Sequence, residues 1–239
     1  MATSAATAQG PVRTTVENTN TWYSFFGDHR VSGRWSLWYD VHLRREGLPG
    51  ERWQQLLLRP GVTYDVAQDV RLTAGYGYIV THQYGEDPIA ARFPEHRLWE
   101  QLTLNQQAAR VAVSHRFRLE QRYLGVMSAP PAGQEPEVER WRFTQRFRYF
   151  IRGTLPLGSA KTGPYVTGYN EIFVGLGRDV QLNILEQNRL FGGIGWRLTP
   201  TLRVEGGYLQ QQIIRASGRR VESNNTLSVT LFSTAPWGH

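Results

Sequence analysis

Asp40 and His42 stand two residues apart in RWSLWYDVHLRR (34–45), a spacing that puts both on one face of a β-strand. A carboxylate that orients an imidazole, and an imidazole that takes a proton from a hydroxyl, are two parts of a hydrolytic nucleophile system. The third part would be a serine from another strand, or Ser36 farther along the same face. Ser114 and His115 cannot serve each other, because adjacent strand residues point to opposite faces. His29, His82, His96 and His115 show no metal-ligand spacing, and no GxxxxGK[ST], HExxH, GxSxG or calcium-loop motif occurs. The absence of cysteine excludes thiol catalysis, disulfides and Cys-based zinc sites. A hydrolase is sketched but not specified, and the expectation is a protein with no catalytic residues, no metal and no cofactor.

A second pattern is stronger. In RWRFTQRFRYFIRG, Arg140, Arg142, Arg146, Arg148 and Arg152 fall on even positions, while Trp141, Phe143, Phe147, Tyr149 and Ile151 fall on odd ones. Period two is the side-chain period of a strand, so one face is cationic and the other apolar. A soluble sheet could bury the rings and hydrate the arginines. A transmembrane barrel could turn the rings to lipid and the arginines to a wet lumen.

The rest of the chain must decide which. It has 239 residues, 40% of them hydrophobic and 12% aromatic, with eight Trp and eleven Tyr. Mean hydropathy is −0.45 and the sequence pI is near 10.0. No run approaches the roughly 18–20 apolar residues of a spanning helix. The formal charge is +7, and Lys161 is the only lysine, so the positive charge is arginine dealt along many strands. A nucleic-acid binder gathers its basic charge on one arm or helix, so no nucleic-acid partner is expected. At the N-terminus, MATSAATAQG lacks the basic start and apolar stretch of a secretory signal, yet Ala6-Thr7-Ala8 before Gln9 has the form of a cleavage site. Residues 1–20 read as a signal remnant or a polar tail, and 21–239 as one barrel domain.

No segment pairs an N-cap with a sustained 3.6-residue apolar period. Alternating segments follow one another instead, at 22–31, 34–45, 52–65, 69–84, 95–107, 110–124, 140–152, 164–177, 188–198, 201–215 and 224–233. Their connections alternate between tiny (SG, AQD, AA, TP, with LPLGSAKTG the exception) and longer and polar, as in outer-membrane barrels. Strands this long exceed those of soluble sheets and match a tilted membrane crossing. The segments number eleven, whereas bacterial barrels have even strand numbers. The expectation is therefore an all-β, up-and-down antiparallel transmembrane barrel of about twelve strands, with a further strand hidden in Pro11–Asn20 and ten as the fallback.

The segments TWYSFF (21–26), RWSLWYDVHLR (34–44), QLLLRPGVTY (55–64), AGYGY (74–78), EHRLWEQ (95–101), GYNEIFV (168–174), QNRLFGGIGWRLTPTLRVEGGYL (187–209) and NNTLSVTLF (224–232) resemble an uncharacterised family of outer-membrane barrels, domain-of-unknown-function family 2490. The resemblance implies a barrel in the outer membrane of a Gram-negative-type bacterium and brings no activity with it.

The faces opposite the apolar rows carry Asp40, His42, Arg44, Arg59, Arg71, Arg116, Arg118, Glu120, Arg122, Arg142, Arg146, Arg148, Arg152, Glu171, Arg197, Arg203 and Glu205, with Glu100 as a further acid. An arginine on the lipid face costs about 2–4 kcal/mol at the midplane, which favours placing them all inward. Two readings follow: an Arg–Glu network that rigidifies the lumen, or a small anion-biased pore. The partners expected are outer-membrane lipid and small anions. A lipid-modifying hydrolase and a soluble binding module stand as alternatives.

Overall fold

The structure, a computed structural model, describes residues 13–86, 88–129, 133–158, 161–177, 180, 183–215 and 217–237. The Ala6-Thr7-Ala8 cleavage form lies outside the described residues. Among those described, the alternating segments become eleven strands and no helix: β1 (Thr14–Ser32), β2 (Trp35–Glu46), β3 (Arg52–Ala67), β4 (Val70–Thr81), β5 (Phe93–Ala108), β6 (Val111–Met127), β7 (Val138–Pro156), β8 (Gly163–Leu176), β9 (Leu185–Arg197), β10 (Leu202–Ile214) and β11 (Arg220–Ser233). Each strand pairs antiparallel with the next, and β1 meets β11 to close a barrel.

The expected up-and-down barrel is thus present with eleven strands. An odd number leaves the first and last strands running the same way, so the closing pair is parallel, in register from Thr14↔Arg220 to Gly27↔Ser233. Pro11–Asn20 supplies no separate strand among the described residues; its part from Thr14 onward lengthens β1. The barrel therefore starts inside the stretch 1–20 that the sequence assigns to a tail. The connections 33–34, 68–69, 109–110, 157–162 and 198–201 gather at one rim, all but 157–162 of four residues or fewer, and 47–51, 82–92, 128–137, 177–184 and 215–219, of five or more, at the other. At the tightest turns Gly33 (φ 50°) and Ala109 (φ 51°) take the left-handed backbone that a two-residue connection requires.

Burial is inverted relative to a soluble domain. Leu98, Leu190, Ile194 and Tyr208 are 50–63% exposed on the outside, while Asp40, Glu120 and Arg118 are 0–1% exposed within. The outward rows are those the alternation predicts, including Trp141, Phe143 and Ile151 on β7. Trp35 and Trp196 stand exposed near the short-turn rim, and Trp53 and Trp141 near the loop rim. An apolar cluster inside is small: Trp22, Phe191 and Leu209, with Tyr169 against it.

Several inward rings lie flat along the wall over glycines of neighbouring strands. A Cβ at Gly75 would sit 2.4 Å from the Trp99 indole, and one at Gly61 3.0 Å from it. These glycines let Trp99 fit inside the barrel, a packing that also compensates for their own missing side chains.

Candidate functional site

The strand registers stack the inward arginines against a few buried acids. Glu120 on β6 stands opposite Arg146 on β7, and its two oxygens take Arg146 (2.6 Å), Arg148 (2.5 Å) and Arg97 of β5 (3.2 Å). Arg148 reaches on to Glu171 of β8 (2.6 Å), which also holds Arg116 (2.7 Å) and Arg189 of β9 (3.4 Å). In the other direction, Arg97 reaches Glu95 (2.6 Å), which holds Arg122 (2.9 Å). The result is a continuous belt of alternating charge along β5–β9. On the β2–β3 wall, Asp40 receives both arms of Arg59, at 2.7 and 2.9 Å. Arg152 pairs with Glu205, and near the short-turn rim Arg71 bridges Asp28 and Asp65.

The arginines outnumber their acids. Arg44, Arg59, Arg97, Arg116, Arg118, Arg122, Arg146, Arg148, Arg152 and Arg189 face Asp40, Glu95, Glu120, Glu171, Glu186 and Glu205, ten against six. Two of the ten are held without a carboxylate. Arg118 donates twice to Gln101 (2.6 and 2.9 Å) and lies over Trp99, with Nη1 unpartnered. Arg44 donates to Gln55 (2.7 Å) and lies 3.9 Å above Trp22, with Nε unpartnered.

The belt divides the lumen. A cavity of about 400 Å³ lies toward the short turns and one of about 460 Å³ toward the loops, and Arg44, Arg59, Arg148 and Arg189 line both. The short-turn chamber is walled by Phe26, Trp38, Phe150, Tyr169, Phe191 and Phe232 and reaches Arg203 and Thr234. The loop chamber is lined by Gln54, Gln187, Gln211, Glu186 and Glu222 and reaches Arg142. Connection 82–92 turns into this end: the Tyr84 hydroxyl donates to Glu222, and Glu86 N–H donates to Asn18 (3.1 Å). Burial, and then the Glu222 charge, push the Tyr84 hydroxyl up, so it stays a donor.

A serine does join Asp40 and His42, and it is Ser24 of β1. Its Oγ lies 2.8 Å from His42 Nδ1, while His42 Nε2 lies 3.2 Å from Asp40 Oδ1 and 3.0 Å from Arg59 Nη2. Nε2 thus stands between an acceptor, Asp40 Oδ1, and a donor, Arg59 Nη2: with its proton on Nε2 the ring donates to Asp40 and accepts from the Ser24 hydroxyl, and with the proton on Nδ1 it accepts from Arg59 and donates to Ser24. Ser36 lies four residues from Asp40, toward the short turn, and belongs to no such trio.

The family model described as "Protein of unknown function (DUF2490)" matches residues 19–222, from within β1 to the start of β11. The chain belongs to this family. Comparison with curated proteins and with solved structures returned no match. In this family member the barrel brings Asp40, His42, Arg44, Arg59, Arg116, Arg118, Glu120, Arg146, Arg148 and Glu171 together at the belt. Glu205 and Arg203 stand nearer the short turns, where Arg197 lies over Tyr165, and Arg142 stands at the loop end. Glu100 is corrected: Leu98, Leu102 and Leu104 set the outward phase of β5, Glu100 shares it, and it accepts from Gln121 (3.0 Å) on the outer surface. Asp28 turns in to Arg71, and His29 joins Tyr39 (3.1 Å). Glu95, Arg97 and Arg189 were not anticipated, although that leucine phase on β5 places Glu95 and Arg97 inward.

Proposed function

We propose that this family member is an outer-membrane β-barrel of a Gram-negative-type bacterium, with its short turns in the periplasm and its long loops outside, whose lumen admits small anions without catalysis. The supporting observation is the belt itself: the two chambers meet at Arg44, Arg59, Arg148 and Arg189, so anything crossing the lumen passes guanidinium groups in excess over acids. Rings of arginine favour anions over cations by charge. The exposed outer leucines and rings support the membrane setting, since a contiguous apolar surface of this kind requires a nonaqueous cover.

Planar-bilayer recordings in a salt gradient test the proposal. The expected reversal potential has the sign of anion preference, and cation preference would refute the charge argument. An absence of conductance would reassign the barrel to a purely structural role. Assays of phospholipid and lipid A turnover test the catalytic side. A product formed by the wild type and lost in His42→Ala would overturn the non-catalytic reading.

A further inference from the structure

The short-turn chamber differs from the inside of a simple aqueous pore. Its floor, where it meets the belt, holds Arg44, 93% buried, with one N–H unpartnered and no carboxylate beside it. Arg189 lies over the same indole, Trp22, at 5.1 Å and has Glu171 at 3.4 Å, so two guanidiniums with one carboxylate between them meet at one ring. A buried donor without an acceptor is costly, and an oxyanion is the group whose geometry matches a guanidinium fork. Above this floor the walls are rings: Phe26 stacks on Phe232 (centroids 5.2 Å, 13°), and Phe191 stacks on Tyr169 (4.9 Å, 20°). A space of about 400 Å³ in which these rings stand among hydroxyls such as Thr63, Thr73 and Ser228, with Glu171 and Glu205 also at its wall, has room for a small molecule that offers both a charged and a flat face.

We propose that this chamber is a binding site for a small anion with a flat apolar body, an aromatic carboxylate in class. The acid group sits on Arg44 and Arg189 beside Trp22, and the body lies between the Phe26–Phe232 and Phe191–Tyr169 walls. The inference rests on the anion-accepting lumen and names the kind of anion that this lumen holds. It predicts that charge alone or an aromatic ring alone is insufficient.

The test is calorimetric titration of the full chain in detergent with benzoate, acetate and benzyl alcohol. Benzoate is expected to bind saturably and at least about tenfold tighter than acetate, with no saturable heat from benzyl alcohol. Arg44→Gln should weaken benzoate about tenfold or more, while Arg30→Gln, the same charge change at an exposed site, should leave it within about twofold. Phe232→Leu should weaken benzoate and leave acetate unchanged. If Arg44→Gln does not fold, Arg189→Gln and Phe232→Leu carry the same test. Equal affinities for benzoate and acetate, or full benzoate affinity in Arg44→Gln, overturn the proposal. Benzoate binding without anion preference in the bilayer would break the transport reading and leave the site standing. Anion preference without benzoate binding would do the reverse.

Discussion

The two halves of the lumen share a floor of four arginines and nearly the same volume, yet they are finished in different chemistries. Toward the short turns, stacked rings stand among hydroxyls such as Thr63, Thr73 and Ser228. Toward the loops, Gln54, Gln187, Gln211, Glu186 and Glu222 stand beside Leu57, Phe173 and Ile213, and an amide chain ends on two of them: Asn18 and Asn20 both donate to Asn224 Oδ1 (3.1 and 3.0 Å), and Asn224 donates to Gln211 (3.2 Å) and Glu222 (2.9 Å). The connections account for the contrast. Three of the five connections at the short-turn rim are two-residue turns that add little chain to the mouth, so strand side chains fill most of it, and rings lying along the wall do so in low-energy packing. A long connection that folds inward brings backbone N–H groups with it, and those need acceptors. Asn18 and Glu46 meet that need for Glu86 and Gly85.

The shared floor gives the largest effect. Glu120→Gln removes the acid that holds Arg97, Arg146 and Arg148, and should cost about 3–5 kcal/mol in denaturant unfolding, because buried Arg146 is left with only Glu186 at 3.6 Å while Arg97 and Arg148 keep one carboxylate each. A loss below about 1 kcal/mol would show that water already screens the belt and that the chambers are one. Phe147→Arg, on the outer face of β7, should lower stability in lipid by about 2–4 kcal/mol, measured by heat-modifiable migration after refolding into vesicles. Normal insertion would reverse the inside and outside of that strand. In the loop chamber alone, Tyr84→Phe deletes a hydrogen bond to a carboxylate, worth about 1.5–3 kcal/mol locally, and should speed proteolysis within 82–92. Smallest is Ser24→Ala, expected to cost about 0.5–1.5 kcal/mol from the lost bond to His42 and to change no enzymatic product.

Much of this was legible because period two survives wherever one face must differ from the other. The outward rows of β2, β3, β4, β6 and β7 follow directly from alternation, and so do Glu120 and Glu171 as acids within reach of Arg146 and Arg148. The inward rings were hidden, since a rule that sends aromatics outward misplaces Trp22, Trp99 and Phe191. Their signal was present in the glycines: Gly75 and Gly61 face Trp99, and Gly193 and Gly207 face Phe191, each missing a Cβ where a ring lies. The polar run TTVENTN (14–20) looks like tail because its inward residues, Asn18 and Asn20, take their partner from Asn224, about two hundred positions away. Ser24 meeting His42 is likewise a product of strand pairing, in which the two residues lie directly opposite.

The parallel β1–β11 pair has a geographic consequence. A barrel with an even number of strands returns its chain to the rim where it began, so both tails face one compartment. Here the strand path enters at Thr14 on the loop rim and leaves at Ser233 on the short-turn rim. Epitopes placed before the first strand and after the last would therefore be reached from opposite sides of whatever sheet the barrel is set in, and a single molecule would report both faces at once.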